Sequence, residues 1–175
     1  MKRVIFFAIT FSAVAISLGL FSCDNDTEVK DSSPFTLQKE NYTFLKNETY
    51  YLEVQKNRSP EYSDPFEIED VQRVDKEMHI EVSYPAGCAS NNFEIIWDGV
   101  VMESSPPQTR LFLKRAAEDC SKSDKREYRV LVVDLEEIFV KLRKGDPNLQ
   151  DAIFIVSNAS KRPDTSNADV PVASN

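Results

Sequence analysis

Hydrophobic and polar positions divide the chain into stretches of different texture. Residues 4–20 carry no charge and are rich in Ile, Phe, Ala and Val, whereas 24–34 are polar and almost free of apolar side chains. From 35 to 158 apolar residues come in short runs that alternate with polar ones or are rich in β-branched and aromatic types, separated by Pro, Asn, Asp or Gly. That pattern predicts strands at 35–37, 42–45, 49–54, 66–74, 77–84, 92–97, 100–103, 109–115, 126–134 and 152–158. Turns every eight to twelve residues in such a series point to a β-sandwich. Trp97-Asp98-Gly99-Val100 reads as a two-residue hairpin, because Asp-Gly accepts the positive φ such a turn needs. Pro106-Pro107 then breaks the ladder.

One stretch changes period. Leu135, Ile138, Phe139 and Leu142 are spaced as on a helix. Asp134 can cap the first turn with Glu137 three residues on, and Gly145-Asp146-Pro147 stops the run. The expected fold is therefore all-β: a single sandwich, immunoglobulin-like or similar, over 35–158, with one short helix. Residues 159–175, with Pro163, Pro171 and several Ser and Asn, read as a disordered tail.

The amino terminus is a basic start followed by an uncharged run, the layout of a secretory signal. It ends Leu20-Phe21-Ser22-Cys23, which resembles the bacterial lipobox. The resemblance implies cleavage after residue 22, lipidation of the Cys23 thiol and acylation of the new amino terminus. A plain signal-anchor helix is the alternative. Acids follow the run at once (Asp24, Asp26 and Glu28), and an anchor would leave three cysteines to explain. Using Cys23 for lipid leaves an even pair, Cys88 and Cys120. On this reading 1–22 is a signal peptide and 23–34 a lipidated flexible tether. Asp24-Asn25-Asp26 resembles the export signal of surface lipoproteins of the Bacteroidota, which places the protein at the outer membrane.

Outside the cytoplasm, Cys88 and Cys120 are expected to form a disulfide. A zinc site lacks a Cys-x-x-Cys spacing and has only His79 to draw on, in a separate strand. Gly87-Cys88-Ala89-Ser90-Asn91-Asn92-Phe93, then Trp97-Asp98-Gly99, Asp119-Cys120 and Asp134-Leu135, are similar to a family of secreted bacterial β-sandwich proteins. That family carries Gly-Cys-x-x-His-x-Phe, and the likeness spans about residues 84–140. It implies the sandwich and the disulfide, and no activity. Asn91 stands at the family's histidine position.

Charge and glycine content exclude several function classes. Basic residues number 21 against 29 acidic, a net charge of −8. Loss of Lys2 and Arg3 leaves 19 against 29, or −10. Such a chain is repelled by phosphate backbones, so no nucleic-acid partner is expected. Gly87, Gly99 and Gly145 are isolated and build no phosphate cradle, so no nucleotide cofactor is expected either.

Candidate chemistry is sparse. In the strand 77–84, alternation places Met78, Ile80, Val82 and Tyr84 inward and Glu77, His79, Glu81 and Ser83 on the other face. That second face reads as solvated rather than metal-binding, since side chains two apart on a strand run parallel. Residues 119–124 resemble a calcium loop only faintly, without its glycine or terminal glutamate. His79 has no nucleophile context such as Gly-x-Ser-x-Gly. Glu67, Glu69, Asp70, Glu94, Asp98, Glu136 and Glu137 supply acids for a glycosidase-like pair, which needs two carboxyls about 5–9.5 Å apart in a cleft. Trp97 shares parity with Phe93 and Ile95 and belongs to the core. Tyr51, on the polar face with Thr49 and Glu53, and Tyr62, in the loop 57–65, are candidates for a binding surface.

These readings converge on a membrane-anchored envelope lipoprotein that acts as a non-catalytic binding or assembly module toward an envelope protein or glycan. It uses no cofactor and no metal. The alternative is an extracytoplasmic glycan hydrolase. Replacing Cys23 by Ala is expected to move the protein from the membrane to the soluble fraction, read by fractionation and immunoblotting; retention in the membrane would overturn the lipid assignment.

Overall fold

The computed structural model describes residues 33–142 and 151–173. The signal peptide, most of the tether and the helix stop at 145–147 lie outside them. The chain runs β1 (Phe35–Gln38), β2 (Thr43–Lys46), α1 (Glu48–Asn57), β3 (Glu67–Val74), β4 (Glu77–Pro85) and β5 (Ser90–Trp97). It continues through β6 (Gln108–Glu118), β7 (Arg126–Asp134), α2 (Leu135–Leu142), β8 (Ile153–Asn158) and β9 (Asp169–Val172). Six strands form one sheet in the order β1-β2-β5-β6-β8-β9, and three form a second in the order β3-β4-β7. The described chain is thus mostly β, in two sheets. The larger sheet is mixed: β2 runs parallel to β5 and β6 parallel to β8, while the other neighbours are antiparallel.

Alternation explains how the sheets meet. Phe93, Ile95 and Trp97 of β5, with Leu111 and Leu113 of β6 and Phe154 and Val156 of β8, turn inward from the large sheet. They pack on Met78, Ile80, Val82 and Tyr84 of β4 and on Leu131 and Val133 of β7. All of these are buried. The Trp97 indole donates to Thr109 Oγ1 at 2.8 Å, so the largest core side chain leaves no buried donor unpaired. The expected short helix forms as α2: Asp134 Oδ1 accepts from Glu137 N at 2.8 Å, and Leu135 and Ile138 pack into the main core. The Glu137 carboxylate pairs with Lys39.

Three expectations are corrected. Residues 49–54 are not a strand: they lie in α1, a second helix. Asn47 stands in extended backbone and its Oδ1 accepts from Tyr50 N at 3.0 Å, a helix cap that outweighs the strand preference of Thr, Tyr and Val. Tyr51 and Val54, three apart, pack with Ile96, Phe112 and Ala159 on the outer face of the large sheet. The molecule therefore has a third layer there.

Residues 100–103 are not a hairpin strand. Gly99 does take positive φ, +84°, and Asp98 Oδ1 accepts from Val100 N, but Asp98 does not share the positive φ and the two-residue hairpin turn does not form. A Cβ at Gly99 would lie 2.8 Å from Lys46 Cε, so the site suits glycine on both counts. The chain then leaves the ladder, touching β6 only at a Met102–Gln108 bridge, and β5 pairs with β6 across a wide connection. Thr109 holds this loop by donating to the Val100 carbonyl at 2.7 Å.

The carboxyl-terminal segment is folded where a disordered tail is expected. Ala159, Ser160 and Ala168 are buried, and β9 pairs with β8. The buried Arg58 guanidinium fixes it, donating to the carbonyls of Asn158 and Ala168 and to Asp169 Oδ1. The strand expected at 66–74 forms as β3, with an irregularity. Its register shifts between Ile68 and Asp70, so that Ile68 and Val71, three apart, both face the core.

Cys88 and Cys120 are disulfide-bonded across a separation of 32 residues. Opening that loop by Cys88→Ser is expected to cost about 3–4 kcal/mol on the chain-entropy account. Calorimetry should show a melting temperature lower by roughly 10 °C; an unchanged transition would mean that the bridge contributes nothing to stability.

Candidate functional site

The two tyrosines proposed for a binding surface do not share one. Tyr51 is 6% exposed, with its ring 4.8 Å from that of Phe112; it faces the sheet because α1 is a helix. Its candidacy is withdrawn. Tyr62 is half-buried in the loop after α1 and belongs to a polar cluster on the same sheet face. Glu94 of β5 and Lys114 of β6 are cross-strand partners. Between them Tyr50 donates to Glu94 Oε2 at 2.7 Å and receives a hydrogen bond from Lys114 Nζ at 2.9 Å. The ammonium also sits 4.6 Å from the Tyr62 ring centre and 5.3 Å from that of Tyr50, favourable for a cation over aromatic faces. Tyr62 in turn donates to Glu53 Oε1 at 2.9 Å.

Electrostatics keep these phenols protonated. Burial above all, and then the bond to Glu94, raises the Tyr50 hydroxyl far above its ordinary range. Burial first and Glu53 second push Tyr62 up to about 12. Neither phenol is a base at neutral pH, and Lys114 is held by both rings. The cluster is a closed network that pins α1 and its following loop to β5 and β6.

The remaining candidates are also locally engaged. His79 Nε2 meets Glu77 Oε2 at 2.9 Å on the outer face of β4. Ser83, expected on that solvated face, is buried: its hydroxyl donates to Glu69 and accepts from Arg126. Among the seven carboxylates considered for acid–base work, Glu67 pairs with Lys161, Glu136 with Lys76 and Glu137 with Lys39. Glu94 accepts from Tyr50, Glu69 from Ser83, Asp98 from Val100 N and Asp70 from Val71 N. Asn91 accepts from the Arg115 guanidinium, which also donates to the Pro65 carbonyl and reaches Cys88 Sγ at 3.4 Å. Among the described residues no group of three His, Cys, Asp or Glu side chains is placed to hold a metal ion.

A surface that the sequence reading missed lies on β7. Tyr128 is 73% exposed, Val130 43% and Val132 41%. They form one continuous row on the outer face of the small sheet, because Leu131 and Val133, of the opposite parity, are the core residues. Apolar side chains occupy both parities of β7, so alternation alone did not say which set faces water. The row borders Ser83, Glu81 and His79 of β4. In the strand order β7 is an edge, with β4 its sole partner among the described strands.

No family model, no curated protein and no solved structure matches the chain.

The Tyr62 shift has a measurable consequence. A hydroxyl whose folded value is raised from about 10 to about 12 contributes stability that is complete below pH 10 and lost as pH rises toward 12. Glu53→Gln is expected to bring one phenol midpoint part of the way back toward 10 in a spectrophotometric titration. An unchanged titration curve would show that Glu53 does not act on Tyr62.

Proposed function

We propose that the protein is a lipid-anchored component of the bacterial cell envelope, held at the outer membrane through Cys23, and that it works as a non-catalytic binding or assembly module. The observation that carries the binding role is the exposed apolar row Tyr128, Val130 and Val132 on an edge strand. Exposed sheet edges are usually short, charged or covered, because unpaired backbone groups beside apolar side chains invite another chain. A contiguous row of this kind marks a contact surface, whereas scattered exposed residues such as Leu52 and Met102 do not.

One further observation supports the compartment. The Cys88–Cys120 bridge fits an oxidising environment and uses two of the three cysteines, leaving the one in the lipobox-like segment. Three acyl chains at that position would make the attachment effectively permanent, since each buried methylene contributes about 0.8 kcal/mol. Among the described residues no helix is long and apolar enough to cross a membrane. A glycan hydrolase reading calls for two carboxyls facing each other across a cleft, whereas the acids described above are each taken up by separate local partners.

A photoreactive phenylalanine analogue at position 128 of the full chain tests the role. Illumination of intact cells is expected to give discrete adducts in the membrane fraction, absent when the same analogue replaces Leu52 on α1. A folded protein that yields no adduct at 128 would overturn the binding-module reading.

A further inference from the structure

We propose that the occupant of the β7 edge is a second copy of this chain, paired antiparallel with the first about a two-fold axis through Val130, so that two three-stranded sheets become one of six strands. This rests on the reading of β7 as the contact surface and specifies its partner.

The argument is the self-complementarity of Arg126-Glu127-Tyr128-Arg129-Val130-Leu131-Val132-Val133-Asp134. In an antiparallel pair centred on residue 130, position 128 faces 132 of the second copy and position 126 faces 134. All five outward positions then match in kind. Val130 meets Val130, Tyr128 meets Val132 twice, and at each end Arg126 meets Asp134. Directly opposed side chains have Cβ atoms about 4.5–5.5 Å apart, where aromatic–aliphatic and opposite-charge pairs each stabilise a sheet. Centring on Leu131 instead sets Tyr128 against Asp134, and centring on Arg129 sets Arg126 against Val132. Only the register at Val130 places charge on charge and apolar on apolar throughout.

The end groups have capacity for a partner. Arg126 reaches Ser83 through Nε and Nη2, and a guanidinium carries five donors in all. Asp134 uses Oδ1 to cap α2, and a carboxylate has a second oxygen. A pair related by a two-fold axis is closed: it uses up the β7 edge of both copies and sets their two rows side by side, with β3 as the outer strand at each end. One strand pair makes a modest interface, and confinement of both copies to a membrane surface raises their effective concentration in the way that tethering does.

Cross-linking in native membranes, with the full chain and a short bis-maleimide, tests both occupant and register. Val130→Cys is expected to give a band at twice the chain mass. Tyr128→Cys co-expressed with Val132→Cys should do the same, whereas Tyr128→Cys alone should cross-link several-fold less, because its two copies lie about 14 Å apart along the strands. Val74→Cys, equally exposed on the far edge of the same sheet, is the negative control. As an orthogonal measurement, the unmodified full chain in detergent should sediment as a monomer–dimer equilibrium that Val130→Lys shifts to monomer. Equal cross-linking at 74 and 130, or strong Tyr128 self-cross-linking without the 128–132 pair, overturns the proposal. Adducts from position 128 to a different protein, with no 130–130 product, overturn self-pairing while leaving the binding module standing. Absence of any adduct overturns both.

Discussion

Burial of large side chains between the two sheets is the constraint on which the remaining structure depends. Trp97, Phe93, Phe44 and Phe154 from the larger sheet and Tyr84 and Met78 from the smaller are all excluded from water. Each such side chain contributes roughly 1.5–3 kcal/mol relative to exposure, against a net folding stability of only about 5–15 kcal/mol for a whole domain. The rings meet at angles that suit aromatic pairs: Phe66 stands edge-on to Phe93 at 5.7 Å, and Tyr84 is tilted against Phe93 at 5.6 Å. Strand β5 lies inside the larger sheet and contributes to both cores. Phe93, Ile95 and Trp97 serve the inter-sheet core, and Ile96 serves the small core beneath α1.

Around that core, two buried arginines tie loops to strands. Arg58 binds the carboxyl-terminal segment while its guanidinium lies 5.4 Å from the Phe112 ring centre. Arg115, 2% exposed, joins the Pro65 carbonyl, Asn91 and the disulfide sulfur of Cys88, with the Tyr84 ring 4.8 Å away. Burial lowers the Arg115 pKa, and the polar partners around it hold the charge in place. Asn91 is thus an acceptor for a structural cation. Arg115 thereby ties Pro65, Asn91 and Cys88 to β6.

The smaller sheet is different in kind. Its inner face is core, but its outer face has an acidic part along β4, with Glu77 and Glu81, and an apolar part along β7. On the outward parity of β7 the charged residues Arg126 and Asp134 sit at the two ends, flanking Tyr128, Val130 and Val132.

Period-two alternation, cysteine parity and the Asp134 cap were enough to place most strands, the disulfide and α2, because each is a local pattern or a simple count. Residues 126–134 were legible to the residue as a strand, and Trp97, Phe93 and Ile95 as core. Local patterns failed where a distant partner decided the outcome. Thr49–Tyr50–Tyr51 has strand composition, yet the Asn47 cap and an apolar patch on β5 and β6 made it helical and took Tyr51 out of solvent. The polar carboxyl-terminal segment is ordered by Arg58, about a hundred residues away in sequence. Which face of β7 meets water depended on where β4 put the second sheet. Sequence by itself therefore determined the β class, the bridge and the helix cap; tertiary structure alone decided the layers, the folded carboxyl terminus and the exposed row, since long-range burial overrides local preference wherever the two compete.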